Sequence, residues 1–205
     1  MIKHNLYLLF IIFIFFLSCK DSKIITINNR NLEYKHSNFI INSPGKDWKV
    51  EEVRSKLLFH TYDFRVHFSH NDSSTHSKLA SVSTWNSSIS FSSSDGFIKY
   101  YIDSFSESYP PPRYKKILIN FPKDLACKDF CLLHQFKYKD FYAKNKGDLE
   151  YLILEGYEYI FMVSEKSKTI IYISYSERGK KEELINVKEN AGNFICNLKV
   201  IKDNI

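Results

Sequence analysis

Glycine is scarce in this chain, six residues in 205, and the scarcity removes several kinds of chemistry at once. No Gly-rich loop is present to cradle a phosphate, and no G-x-S-x-G elbow presents a serine nucleophile. The four cysteines, Cys19, Cys127, Cys131 and Cys196, form no C-x-x-C pair, which leaves a thioredoxin-like or zinc-knuckle reading without support. H-E-x-x-H, the helical zinc motif, is also missing. No apolar run reaches the roughly 20 residues that a spanning helix needs. No internal repeat is visible.

What is present describes an ordinary globular domain with many aromatics. Hydrophobic residues make up 44% and charged residues 25% of the chain, and the length suits one domain. The 17 Phe and 14 Tyr favour strands. The net charge of +6 is spread over short lysine pairs such as Lys115/Lys116 and Lys180/Lys181. A nucleic-acid binder concentrates its charge on one face, so a solvated basic surface is the better reading, with weak attraction to an anionic membrane behind it.

The amino terminus carries the sharpest signal. After Lys3 and His4, residues Leu6 to Leu17 are apolar apart from Tyr7, a twelve-residue core of signal-peptide length. Phe16-Leu17-Ser18 is not the A-x-A site of ordinary cleavage. Phe16-Leu17-Ser18-Cys19 instead resembles a relaxed bacterial lipobox. The resemblance implies a diacylglyceryl group on the Cys19 sulfur, cleavage before Cys19 and acylation of its amino group. The expected organisation is a lipoprotein signal peptide at 1–18, a lipidated cysteine and flexible tether at 19–37, and one globular domain at 38–205. Such a protein is held in the cell envelope by its N-terminal lipid, palmitate among the acyl chains, on the extracytoplasmic side.

Within the domain, Phe39-Ile40-Ile41 opens a strand that Ser43-Pro44-Gly45 turns. Leu57–Phe59, Phe64–Phe68 and a stretch in 78–91 read as further strands. Ser94, as an N-cap, and Phe97, Ile98, Tyr101, Ile102 and Phe105 predict a helix that Tyr109-Pro110-Pro111-Pro112 ends. Leu149–Leu154, Tyr157–Val163 and Thr169–Tyr175 read as a three-strand meander with a turn at Glu155-Gly156. The later strands are apolar on both faces and so need cover on both. A terminal helix over about 182–198 buries Leu184, Val187, Ala191, Phe194, Ile195 and Leu198, with Cys196 beside that stripe as a small core residue. The expected class is α+β, a mostly antiparallel central sheet covered by helices; the alternative is a β-rich sandwich or calyx with a C-terminal helix.

Phe39-Ile-Ile-Asn-Ser-Pro44 followed by Trp48, the helix at 95–108, Gly156 opening a strand, Ile170–Tyr175 and the terminal helix together resemble the PsbP-like fold over roughly residues 38–201. That resemblance implies a helix-rich stretch between 113 and 146 and a non-catalytic binding or assembly role. It carries over no site residues.

Two constellations remain as candidate sites. His60, His67, His70 and His76 fall within seventeen residues, with Asp63 and Asp72 among them. His67, His70, Asp72 and His76 are the candidate metal ligands, although strand alternation sends His67 and His70 to opposite faces. Cys127 and Cys131, four apart, are a candidate disulfide, with two free thiols or a bridge to Cys196 as alternatives. Asp140, Asp148, Glu150 and Glu155 read as solvated carboxylates. No cofactor is implied and no catalytic residue stands out. The expected function is a membrane-tethered binding or assembly protein, with an envelope protein as the candidate partner. The alternative is an envelope metal-binding protein or enzyme using the His60–His76 cluster.

Overall fold

Strands that carry apolar side chains on both faces are stable only where both faces are covered. The computed structural model describes residues 24–25, 33–35, 39–54, 62–106, 111–122, 130–144, 146–163 and 168–201. The leader, Cys19, Leu57–Phe59, His60 and Cys127 lie outside them. A small antiparallel sheet, in the order β1-β2-β3-β11, comprises β1 (Ile24–Ile25), β2 (Glu33–Lys35), β3 (Phe39–Asn42) and β11 (Lys199–Val200). The main sheet contains β4 (Lys49–Arg54), β5 (Tyr62–Asn71), β6 (Ser77–Asn86), β7 (Tyr114–Asn120), β8 (Cys131–Asp140), β9 (Leu152–Met162) and β10 (Thr169–Gly179). Its order is β4-β5-β6-β10-β9-β8-β7, antiparallel throughout. Helices α1 (Ser94–Ser106) and α2 (Val187–Cys196) complete an α+β architecture. The sheet is open, with edges at β4 and β7, and is not a calyx.

Chain order explains the layout. From β6 the chain passes through α1 to the far edge at β7, then returns as the meander β7-β8-β9-β10 until β10 closes against β6. On one face Val66, Phe68, Val82, Ile171, Ile173 and Tyr175 pack beneath Val187, Ala191 and Phe194 of α2 and Tyr34, Phe39 and Ile41 of the small sheet. On the other, Leu132, Ile160 and Ile170 meet Phe97 and Tyr101 of α1. Two-sided strands have therefore found two covers, and full burial of a Phe or Ile contributes about 1.5–3 kcal/mol.

Several elements differ from expectation. Leu152–Met162 is one strand, with no turn at Glu155-Gly156. Gly156 is required there by contact: a Cβ would lie 2.6 Å from the Tyr175 carbonyl oxygen and 2.7 Å from Phe136 Cζ. The described residues between 113 and 146 supply β7 and β8 where the resemblance implies helix. The stretch expected as a tether contributes β1 and β2, and Tyr34 is 3% exposed in the core. Ser93, not Ser94, caps α1: its Oγ accepts from Gly96 N at 3.1 Å, while Ser94 Oγ accepts from Phe130 N at 2.6 Å. The terminal helix is shorter, beginning at Val187 after a 3-10 turn, Lys181–Glu183. Cys196 is exposed and is a free thiol, not a core residue.

Candidate functional site

Side chains two apart on a strand share a face, so β10 places Tyr175 and Glu177 together beneath α2. Glu177 is 1% exposed, and a buried carboxylate must be hydrogen-bonded to persist. It has three partners. His76 Nε2 lies 2.7 Å from Oε2, while Tyr175 OH and Asn190 Nδ2 donate to Oε1 at 2.9 and 2.8 Å. Asn190 belongs to α2, so this carboxylate ties the helix to the sheet.

The network continues outward. His76 Nδ1 is 3.3 Å from Asp72 Oδ2, which also receives Lys78 Nζ at 2.6 Å; Asp72 Oδ1 lies 2.7 Å from His70 Nε2. His70 stacks on Trp48 with ring centroids 5.8 Å apart. Partial burial works to raise the Asp72 carboxyl, but the hydrogen bond and charge of Lys78, helped by His76 and His70, outweigh it and hold it below its ordinary range. Glu183 is likewise lowered: burial opposes, but Lys180 N–H and the Thr75 and Ser73 hydroxyls prevail. The Lys180 bond, 2.7 Å, closes the 3-10 turn on itself, and the Thr75 and Ser73 bonds, 2.8 and 3.1 Å, fasten the β5–β6 hairpin to it.

Of the candidate metal ligands, the structure brings His70, Asp72 and His76 together and sends His67 to the opposite face, where it pairs with Ser81 in register. The cation beside Asp72 is Lys78. Among the described residues no group of three or more His, Cys, Asp or Glu is arranged to hold a metal ion. Cys131 is disulfide-bonded and Cys196 is not, so the Cys131–Cys196 bridge does not form; the partner lies outside the described residues.

A second buried carboxylate sits on the opposite face. Glu158, 5% exposed, accepts Tyr172 OH at 2.7 Å on Oε1 and faces His134 Nδ1 at 2.7 Å on Oε2. His134 is fully buried, stacked on Phe121 at 5.0 Å and beside Phe136 at 5.5 Å. Burial first, and then the neighbouring glutamate, pushes Tyr172 and Tyr175 well above the usual phenol range. Both phenols therefore remain protonated donors and are unsuited to act as bases at neutral pH. Asp140, expected in solvent, is 0% exposed and clamped by Arg113 Nε at 3.2 Å and Arg178 Nε at 3.0 Å.

Sequence reasoning missed Glu158, Glu177 and His134. A signal existed: Glu158 lies in period-two register with Leu154, Ile160 and Met162, and Glu177 with Ile171, Ile173 and Tyr175. An acidic residue at an apolar strand position must have found donors.

A cavity of about 160 Å³ opens beside the Glu177 network, where the main sheet, α2 and the turn after β3 meet; Trp48, Lys78, Tyr175, Asn190, Asn193 and Asn197 line most of it. Among the described residues no helix is long and apolar enough to cross a membrane. No protein-family model matches the chain, and no curated protein is significantly similar to it.

Proposed function

We infer that this is a lipid-anchored extracytoplasmic protein whose folded domain binds or assembles and does not catalyse. The observation that carries the reading is the disposition of its acid–base groups. Glu158 and Glu177 are buried, and their oxygens are engaged by histidine, tyrosine and amide donors of the fold itself. A general acid or base needs access to a reacting atom, and these groups face one another. The disulfide at Cys131 supports an oxidising compartment outside the cytoplasm. Cys127, four residues earlier, is its proposed partner.

A PsbP-like domain is the finer fold reading. Its support is a sheet with a helix on each face, the Pro44–Trp48 turn beside the terminal helix, and the close packing around Gly156. The strands at 114–140 depart from that family's expected helices.

Anchoring is tested by growing cells with labelled palmitate. The wild-type chain takes up label and Cys19→Ala does not; equal labelling of both, or of neither, removes the anchor. Metal analysis of the purified protein tests the domain. Stoichiometric zinc or copper, lost when His70 and His76 are replaced, would favour an envelope metal protein instead.

A further inference from the structure

We propose that the cavity beside Glu177 binds a single uncharged sugar ring, such as the terminal residue of a glycan. The proposal rests on the binding-domain reading and gives it a ligand class. Three observations carry it.

The first is charge. Lys78 borders the cavity, but its ammonium is paired with Asp72 at 2.6 Å. Glu177 behind it accepts three bonds from the fold. The wall therefore holds no spare charge of either sign, which disfavours phosphates, carboxylates and cations.

The second is the helix. Asn190, Asn193 and Asn197 recur three and four apart and so share one face of α2, with Asn197 at its C-cap. Asparagine is a poor helix former, yet the amides line the cavity beside the apolar stripe Val187, Ala191 and Phe194. Asn190 is oriented by its bond to Glu177, because a carboxylate accepts only from the amide NH₂. The side-chain amides of Asn193 and Asn197 are exposed and have no protein partner among the described residues. An amide both donates and accepts, as does a sugar hydroxyl, so a row of amides matches a row of hydroxyls.

The third is shape. Trp48 is half-buried at the cavity wall, tilted against the buried Tyr175 with ring centroids 6.0 Å apart, and its indole is the aromatic surface offered to the C–H face of a pyranose. A volume of about 160 Å³ falls below the roughly 300 Å³ at which sites for drug-sized ligands begin, which limits the occupant to one ring.

The test uses the full chain, labelled with ¹⁵N, in a non-glycosidic detergent whose headgroup does not compete. Methyl glucoside, methyl galactoside and N-acetylglucosamine are titrated, with glucuronate and inorganic phosphate as charged counterparts. At least one neutral sugar should give saturable shifts at the Asn193 and Asn197 side-chain amides and the Trp48 indole N–H. Asn193→Ala and Asn197→Ala should each weaken binding by about tenfold, as expected for one or two lost hydrogen bonds, and Asn193→Ala, inside the helix, should not lower the melting temperature. Saturation by none of the neutral sugars, undiminished affinity in both variants, or tighter binding of glucuronate or phosphate overturns the proposal. Metal analysis tests the binding-domain reading through His70 and His76, and the sugar titration reads Asn193, Asn197 and Trp48, so either reading can fail alone.

Discussion

Glu177 and Glu158 sit on opposite faces of one sheet, and each accepts from a tyrosine of β10 while facing a histidine. The residue types are the same, yet the surroundings give them different work. His134 is fully buried between Phe121 and Phe136, so the histidine of the Glu158 group sits among aromatic rings. His76 leads instead to Asp72, Lys78 and His70, and Glu177 takes a third donor from α2 at the wall of a cavity. Withdrawing a carboxylate from water carries a penalty of several kcal/mol, which hydrogen bonds must offset in both places. On the α2 side the network reaches the wall of a cavity, where a ligand can touch it. Access, not the inventory of ionisable residues, separates a structural knot from a candidate site.

The sharpest way to break that distinction is to remove each histidine. His134→Ala removes a fully buried partner of Glu158 and leaves a void beside Phe121 and Phe136, and stability should fall by about 3–5 kcal/mol. His76→Ala leaves Glu177 two donors and a cavity through which water can enter, so the loss should be about 1–3 kcal/mol. Urea unfolding of the two variants measures both; equal losses would mean that the cavity side is no more open than the His134 side. A second pair of substitutions contrasts the sheet with the helix. Gly156→Ala drives a Cβ to 2.6 Å from the backbone oxygen of Tyr175, which has little room to yield, and should cost about 1–3 kcal/mol. A Cβ at Gly192 of α2 meets nothing within 4 Å, so Gly192→Ala should stabilise by about 0.5–1 kcal/mol. A destabilised Gly192→Ala would show that the solvent side of α2 is more tightly packed than its exposure implies.

Period-two alternation made the two-sided strands legible in the sequence, and with them the need for cover on both faces. Helical spacing revealed α1 and the buried stripe of α2. Local rules failed where a distant residue decides the outcome. Gly156 looks like a turn until Tyr175 and Phe136 arrive from β10 and β8 to forbid a side chain. Asp140 looks solvated until Arg113 and Arg178 are folded around it. His70, Asp72 and His76 of the histidine cluster do meet, but spacing along the chain hides what else the histidines meet. His67 and His70 part across the sheet, while the partners that matter, Glu177 for His76 and Glu158 for His134, lie 101 and 24 residues away. Cys196 falls beside the buried stripe of α2, but a helix leaves the flank of its stripe in solvent.

The smallest expected effect concerns acid. Asp72 and Glu183, both held below their ordinary values, fasten the hairpin on the Glu177 side. A carboxyl whose folded value is depressed contributes stability that is present above its unfolded value and is lost as pH falls through the folded one. For Asp72 that window lies below its ordinary 3.8. Its side chain is 34% exposed, so solvent screens the contribution and the change should be modest. In Asp72→Asn the charge partner of Lys78 is gone at every pH. Its urea midpoint should sit slightly below wild type at neutral pH and fall less steeply below about pH 4, the two curves converging in strong acid. Trp48 reports the Glu177 face and Trp85 the α1 face, so their fluorescence can be followed as separate signals in single-tryptophan variants. Acid should perturb Trp48 first in the wild-type background, and Asp72→Asn should narrow the gap between the two signals. Coincident transitions in both backgrounds would mean that the hairpin fastening does not distinguish the faces, and that the difference between the two glutamates is confined to their immediate neighbours.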